Sequence, residues 1–325
     1  MGKSTFSIIW KGVAMGMAEV VPGVSGGTIA FITGIYERLI KAIRNISSIP
    51  YSQLKKGGWL HLWRYIDGNF LTLLVIGMAI GILIGVFGIS YLLEHYPPMI
   101  WGFFFGLIVA SVVYIARKVS HWRWIEILSL LSGVLIAYYI TIISPAEGSQ
   151  SYGFIFLAGM IAICALILPG ISGSFILLLL GMYTYILESV KAVIESQSTT
   201  AILITGVFAS GCVIGLAMFS NVLSWTFKHY RHPTLALLTG FMIGSLNRIW
   251  PWRNPVLWLD KISGQKMSEG FATYDPDQVK ILTEVNVLPS AYQGEPILTS
   301  VVISFFLGLL IVYFFSRWEK TTVEF

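Results

Sequence analysis

Long apolar runs dominate the chain, and short polar segments separate them. We predict six membrane-spanning helices, at 70–93, 99–116, 125–143, 201–226, 234–249 and 298–316, because a helix needs about twenty apolar residues to cross a bilayer. Two further apolar regions, 5–40 and 153–187, are each interrupted near the middle. The pattern predicts an all-α polytopic membrane protein.

The two interrupted regions share one kind of break. Residues 22–28 read Pro-Gly-Val-Ser-Gly-Gly-Thr, and residues 169–174 read Pro-Gly-Ile-Ser-Gly-Ser. Proline and glycine end helices, and the apolar segment on either side is short for a full span. We therefore predict two re-entrant hairpins of half-helices, at 5–40 and 153–187. The alternative is that each region forms two full but kinked spans.

The breaks belong to an internal duplication at an offset of 147 positions, from Pro22 to Pro169. Identities at this offset flank both breaks: Gly12 with Gly159, Ala18 with Ala165, Ile29 with Ile176, Gly34 with Gly181 and Tyr36 with Tyr183. The following spans also align, as Gly81 and Gly85 do with Gly211 and Gly215. The sequence therefore predicts two repeats, 1–150 and 151–325, each a hairpin plus three spans, with an insertion at 250–297.

An odd number of spans separates the hairpins, so the second repeat is inverted relative to the first. Inverted repeats with broken helices are a secondary-transporter architecture. Lysine and arginine lie mainly in the short loops 41–69, 117–123 and 228–231, whereas 94–98 and 144–152 contain none. By the positive-inside rule, both termini lie in the cytoplasm and loop 250–297 lies outside.

Composition agrees with membrane insertion. The chain is 56% hydrophobic and only 11% charged, with a mean hydropathy of +0.77, against about a quarter charged in soluble domains. The net charge is +5, and the basic residues lie in short segments beside apolar runs, where they indicate the orientation of the chain in the membrane. No nucleic-acid partner is therefore predicted. Cys164 and Cys212 lie in apolar stretches and predict no disulfide, redox pair or metal site. Lys11 and Glu19 interrupt the first apolar stretch, so we expect no cleaved signal peptide.

The breaks themselves indicate a polar site. Non-helical backbone in a bilayer persists only where protein or a polar cavity covers it. The second half-helices begin with free N–H groups and a positive dipole end, which suits an anion such as phosphate. The predicted substrate-binding residues are Ser25, Gly26, Gly27, Thr28, Ser172, Gly173 and Ser174. The alternative is close helix packing by small residues, which explains Gly81, Gly85, Gly211 and Gly215 better than it explains the repeated motif.

Three ionisable residues are further candidates. Glu19 lies in an apolar segment where a charge costs about 2.5–3.5 kcal/mol, and its counterpart is Leu166, so we predict a proton-carrying or gating role. Arg248 lies at the outer end of its span and is a candidate for head-group capture. Arg38 is a second capture candidate, although a pairing of Glu37 and Arg38 at the membrane interface is favoured over a place in the site.

Residues 19–28 and 166–174 resemble the paired signatures of the PopT-type polyprenyl-phosphate (undecaprenyl-phosphate) transporter family, formerly a bacterial membrane domain of unknown function. The resemblance covers essentially the whole chain. It implies a carrier that returns undecaprenyl phosphate from the outer to the inner leaflet of the bacterial cytoplasmic membrane for envelope synthesis. The implied partner is an anionic isoprenoid lipid, held at the two hairpin tips during alternating access. No catalytic activity, metal or cofactor is implied beyond a coupling proton or ion.

Two other functions share features with this sequence. Undecaprenyl-pyrophosphate phosphatases carry a Pro-Gly-x-Ser-Arg-Ser loop and two nearby acids, but this chain has Gly26 and Gly173 in place of the arginine and Gly23 in place of the second acid. Charge stabilisation for phosphoryl transfer is therefore missing, and transport is favoured. A transporter of another small anion is the third candidate. Loop 250–297 is a lid, a partner-binding surface or a solvated connector.

Overall fold

The computed structural model describes residues 2–21, 23–49, 58–143, 145–146, 148–195, 198–260, 266–268 and 279–322. Pro22 of the first break lies outside the described residues, as do 50–57 in the predicted loop 41–69 and 144 and 147 in the predicted loop 144–152. The same holds for 261–265 and 269–278 within the predicted external loop. The described chain is mostly helical.

The first half contains eight helices among the described residues. Its helices are α1 (Gly2–Glu19), α2 (Gly26–Ile32), α3 (Tyr36–Ser47), α4 (Gly58–Tyr65), α5 (Gly68–Ile84), α6 (Ser90–His95), α7 (Pro97–Ala116) and α8 (Trp124–Ile142). A π-helical turn, Gly85–Ile89, joins α5 to α6, so that Gly68–His95 forms one long helical segment.

The second half follows the same order. Its helices are α9 (Tyr152–Ile167), α10 (Gly173–Leu179), α11 (Tyr183–Glu195), α12 (Thr199–His229), α13 (Arg231–Ser245) and α14 (Leu298–Thr322). Between α13 and α14 lie the strands β1 (Arg253–Asp260), β2 (Lys266–Met267) and β3 (Val279–Asn286), and a 3-10 turn at Pro289–Ala291.

Five helical segments among the described residues are long and apolar enough to cross a membrane, or six if the bent pair α10 and α11 counts as one span. The five agree with the predicted spans 70–93, 99–116, 125–143, 201–226 and 298–316. The predicted span 234–249 corresponds to α13, which ends at Ser245 and has 15 residues. At 1.5 Å per residue this is about 22 Å. Most of its residues are buried, so neighbouring helices rather than lipid surround it.

Backbone contacts at glycine hold the helix pairs together. Helix α1 packs along α5, and the equivalent α9 packs along α12. A Cβ at Gly81 would collide with the carbonyl oxygen of Val13, and one at Gly211 with that of Phe156. These glycines are therefore packing residues, as the sequence comparison indicated. Two further pairs, α7 with α14 and α8 with α13, complete the helical part.

The two broken regions have the same backbone conformation. Gly23 and Gly170, at the first bend, both have φ of +86°, and Gly34 and Gly181, at the second bend, have φ of +72° and +67°. Only glycine adopts this left-handed region without strain. Helices α10 and α11 are bent by 112° at the second of these bends. The structural equivalence thus matches the sequence duplication, while the division into two repeats near residue 150 stays a prediction.

The segment between α13 and α14 was expected to be a polar loop, but it carries a three-stranded antiparallel sheet in the order β2-β1-β3. Trp252, Trp258 and Val279 are buried, so the segment is packed structure and not merely a solvated connector. The Trp250 indole donates to the Val287 carbonyl at 2.9 Å, which joins the chain entering β1 to the chain leaving β3. The sequence did not indicate these strands, because the main pairing, that of β1 with β3, joins residues 19 to 33 positions apart.

Candidate functional site

The two copies of the motif lie against each other. The Ser25 hydroxyl donates to the Leu166 carbonyl at 3.0 Å, and the Gly170 N–H donates to Thr28 Oγ1, also at 3.0 Å. A Cβ on Gly27 would collide with the carbonyl of Ile167, so this close approach requires glycine. We call this contact of residues 25–28 with 166–170 the tip junction. Its formation shows that the structure brings the two predicted half-sites together.

The tip junction is closed in this structure. Ser25 and Thr28 have no exposed surface, and Ser172 is 2% exposed. Buried polar groups must be hydrogen-bonded to be stable, and the crossing bonds meet this requirement for both Ser25 and Thr28. In this arrangement the predicted site is a packed contact, and a ligand reaches it only if the two tips separate.

Predicted donors of the first copy have internal partners. Gly26 N–H donates to the Glu19 carboxylate at 2.7 Å, and Gly27 N–H donates to Ser25 Oγ at 3.0 Å. Ser25 is thus the N-cap of α2. A carboxylate at this end is favourable because the helix dipole is positive there. A Cβ on Gly26 would lie 2.6 Å from Glu19 Oε1, so glycine permits this contact. The proton or gating role of Glu19 stays a prediction.

The second copy is arranged differently. Ser172 occupies the N-cap position of α10 but makes no capping bond with its side chain. Its hydroxyl instead pairs with that of Ser174 at 2.8 Å. Since Leu166 stands where the first copy has Glu19, no carboxylate caps this helix. A Cβ on Gly173 would lie 2.6 Å from the Ala162 carbonyl, so no side chain fits there.

Arg248 reaches both copies of the motif. A Cβ at Gly23 would lie 3.2 Å from Arg248 Cγ, and the guanidinium carbon is 5.0 Å from the centre of the Phe175 ring. Gly23 belongs to the first tip and Phe175 to the second half-helix. The side chain is 27% exposed. This predicted capture residue therefore lies beside the tip junction.

The sheet adds two charged residues that the sequence analysis missed, Arg253 and Glu284. One oxygen of Glu284, Oε2, lies 3.3 Å from Arg248 Nη1 and 3.1 Å from Arg253 Nη1. Burial lowers the pKa of Arg253 to about 10, although the Glu284 carboxylate opposes the shift, so this arginine is charged at neutral pH. No spacing in the sequence marks these residues, because β1 and β3 bring them together. We call Arg248, Arg253 and Glu284 the arginine–glutamate cluster.

Arg38, the other predicted capture residue, does not join this cluster. Its guanidinium makes two bonds to the Asp67 carboxylate, at 2.6 and 3.0 Å, and lies 4.3 Å from the Phe70 ring centre. Glu37 pairs instead with Arg231, at 2.9 Å. The two neighbouring charges therefore have separate partners. A cavity of about 500 Å³ beside Arg38 is lined by Arg38, Lys41, Ala42, Asn45, Arg64, Tyr65 and Asp67.

Comparison with known proteins bears directly on the motifs. The family model described as undecaprenyl phosphate translocase-like matches residues 15–267, which include both motif copies. The chain belongs to this family. The resemblance inferred from the paired motifs is thereby confirmed.

Two curated members of related sequence support the assignment. A polyprenyl-phosphate transporter of Vibrio cholerae is 42% identical over 299 residues, covering 92% of this chain and 94% of the relative. A polyprenyl-phosphate transporter of Staphylococcus aureus is 32% identical over 267 residues, covering 77% and 88%. No solved structure matches the chain at a significant level. Among the described residues, no group of three His, Cys, Asp or Glu side chains is placed to hold a metal.

Proposed function

We propose that this protein transports polyprenyl phosphate, returning undecaprenyl phosphate from the outer to the inner leaflet of a bacterial cytoplasmic membrane. The family and the names of both relatives support the substrate class. The observation that carries the proposal is the tip junction, where two broken helices from distant parts of the chain meet beside Arg248. Separation of the two tips would open a polar path for a head group within an otherwise apolar part of the protein.

The chemistry of the substrate explains why a polar path is needed. A phosphate monoester carries about −1.5 to −2 charges at neutral pH, so its head group cannot cross hydrocarbon unaided, whereas its prenyl tail remains in lipid. The junction is held by hydroxyl and backbone groups rather than by ion pairs. When the tips separate, the Ser25 hydroxyl and the Gly170 N–H lose their partners and become donors for the phosphate oxygens.

The contacts around α13 support re-entrant hairpins. Arg231, at the start of α13, bonds to Glu37 at the start of α3. Gly170 lies against Met242 and Ser245, at the end of α13. Since Gly170 also touches Thr28, the tips and α3 lie at opposite ends of α13, and α2 must run back from the tip. We infer that each hairpin enters and leaves on one side of the membrane.

The matching bends of the two halves support inverted repeats and alternating access. With both termini in the cytoplasm, one hairpin enters from each side and the two tips meet. Rocking one repeat against the other would open the tip junction first to the outer side and then to the inner side. A proton or another ion, with Glu19 as its carrier, would drive the cycle.

The geometry disfavours phosphatase chemistry. The phosphatase loop has an arginine where this chain has Gly26 and Gly173. A Cβ at either position would lie 2.6 Å from an oxygen atom, that of Glu19 or of Ala162. Glycine supplies no side chain at either position, and at Gly173 the Ala162 backbone leaves no room for one, so the group that stabilises a transferring phosphoryl is absent from both tips.

The proposal is tested with purified protein in proteoliposomes by following polyprenyl phosphate as it leaves the outer leaflet. We expect Ser25→Ala to slow transport about fivefold, the equivalent of one hydrogen bond of about 1 kcal/mol. Ser172→Ala removes the hydroxyl pair of the second copy and should also slow it. The matched control is Ser129→Ala, because that exposed hydroxyl donates within α8, to the Ile125 carbonyl. Phosphate release from undecaprenyl pyrophosphate without lipid movement would overturn the proposal in favour of an enzyme.

A further inference from the structure

The arginine–glutamate cluster carries an excess of positive charge. Two guanidinium groups share one carboxylate, and the side chains of Arg253 and Glu284 are only 8% and 17% exposed. Buried charges are stable only when they are paired and hydrogen-bonded. Among the described residues, one carboxylate pairs with two arginines, so these three side chains together carry a net charge of about +1.

The guanidinium groups also retain unused hydrogen-bonding capacity. Arg248 Nε and Arg253 Nη1 are buried and make no hydrogen bond to any described residue. The Arg253 Nη1 atom lies 3.1 Å from Glu284 Oε2 as an ion pair without hydrogen-bond geometry. Charge-assisted hydrogen bonds are usually 2.7–2.9 Å long, so a single carboxylate oxygen holds both arginines loosely.

Aromatic rings hold both guanidiniums in place. Arg253 lies 4.5 Å from the centre of the Trp101 ring, and Arg248 lies 5.0 Å from that of Phe175. Cation–π contacts of this kind attract the charge without occupying its N–H donors. The donors of the two arginines are therefore positioned in advance for a planar or tetrahedral oxyanion, next to the first tip at Gly23.

We propose that Arg248 and Arg253 form a phosphate-monoester site beside the tip junction, and that Glu284 occupies this site until a phosphate displaces it. This site deepens the proposed function, on which its role in transport rests. A phosphate monoester has three terminal oxygens for the two guanidiniums, whereas Glu284 contacts both with one of its two carboxylate oxygens. It therefore gives each arginine its own partner and supplies the missing negative charge.

The test measures binding of farnesyl phosphate, a short water-soluble polyprenyl phosphate, to the full-length protein in detergent by calorimetry. We expect Glu284→Gln to bind about tenfold more tightly, because the competing carboxylate is gone. We expect Arg253→Gln to bind at least about tenfold more weakly, equivalent to the loss of one charge-assisted contact. Arg253→Lys keeps the charge but loses the planar set of N–H donors, so its affinity should lie between those of the wild type and Arg253→Gln.

The control is Arg231→Gln, which removes an arginine from another Arg–Glu pair and should leave binding unchanged. Inorganic phosphate and farnesol separate the sources of affinity. If inorganic phosphate binds and the binding depends on the arginines, the head group alone is recognised. If farnesyl phosphate binds but inorganic phosphate does not, the site also needs the prenyl chain. Farnesol that binds as tightly as farnesyl phosphate would overturn the proposal.

Two outcomes separate this site from the proposed function. If the wild type transports polyprenyl phosphate while Glu284→Gln and Arg253→Gln both bind and transport like it, the site is wrong and the transport function stands. Gel filtration checks that each variant is folded, and the isosteric Glu284→Gln keeps the test decisive if Arg253→Gln does not fold. If the wild type does not transport but the variants change binding as expected, the site stands and the transport function fails.

Discussion

Glu19 places a carboxylate inside an apolar helix and uses it to bind the first N–H of α2, that of Gly26, at 2.7 Å. This contact joins the two arms of the first hairpin. The contact therefore gives Glu19 a structural role that the sequence did not indicate. Structural and proton-carrying roles are separable, because an amide can accept the same hydrogen bond but cannot release a proton at physiological pH.

We expect Glu19→Gln to keep thermal stability close to that of the wild type and to flatten the pH dependence of transport. Glu19→Ala should lower the stability by about 1–3 kcal/mol, because the buried Gly26 N–H loses its partner. Thermal unfolding in detergent and initial transport rates at acidic and alkaline pH measure both effects. An unchanged pH profile for Glu19→Gln would leave Glu19 with the structural role alone.

At the scale of helices, glycine positions decide which faces can touch. Helix α12 contains Gly206, where a Cβ would meet nothing within 4 Å, and Gly211, where it would collide with the Phe156 carbonyl of α9. The two positions lie in the same helix, only five residues apart. Substitution by alanine at each position therefore separates the effect of helix propensity on stability from the effect of packing.

We expect Gly206→Ala to be neutral or stabilising by up to about 1 kcal/mol, because alanine favours helix. Gly211→Ala should destabilise by about 1–3 kcal/mol, the usual cost of overpacking. Thermal unfolding of the purified variants in detergent measures the difference. Equal stabilities would show that α9 and α12 are not held at backbone contact, which would remove the support that this pair gives to the equivalence of the two halves.

At the scale of the whole molecule, the inverted arrangement predicts which loops face each side. Ser47 ends α3 and Ser149 precedes α9, and both are exposed. In the proposed orientation, Ser47 faces the cytoplasm and Ser149 faces outward.

We expect a membrane-impermeant maleimide to label Ser149→Cys in intact cells, and to label Ser47→Cys only after the membrane is opened. Cys164→Ala and Cys212→Ala provide the background, since both native cysteines lie within helices and only partly exposed. The reversed labelling pattern would invert the proposed orientation. Labelling of both positions from one side would contradict the inverted repeats themselves.

The sequence predicted the helical spans and the two broken regions because these depend on local properties. The length of an apolar run decides whether a helix can cross a bilayer, and Pro-Gly pairs end helices wherever they occur. Five spans and the bends at Gly23 and Gly170 could be predicted from these local properties. The sixth span was predicted to end four residues too late, because the backbone leaves the helix after Ser245, where the tip of the second hairpin packs against it.

Only the tertiary structure decided which charges lie beside the tip junction. Arg248 was recognisable as an ionisable residue at a span end, but its contacts with Gly23 and Phe175 depend on where the two hairpin tips lie relative to the end of α13. Arg253 and Glu284 come together through the pairing of β1 with β3. Arg38 pairs with Asp67 and, among the described residues, does not contact the motifs. Local sequence determines where a membrane helix begins and breaks, whereas the position of a charge relative to a distant break is set by long-range packing and strand register.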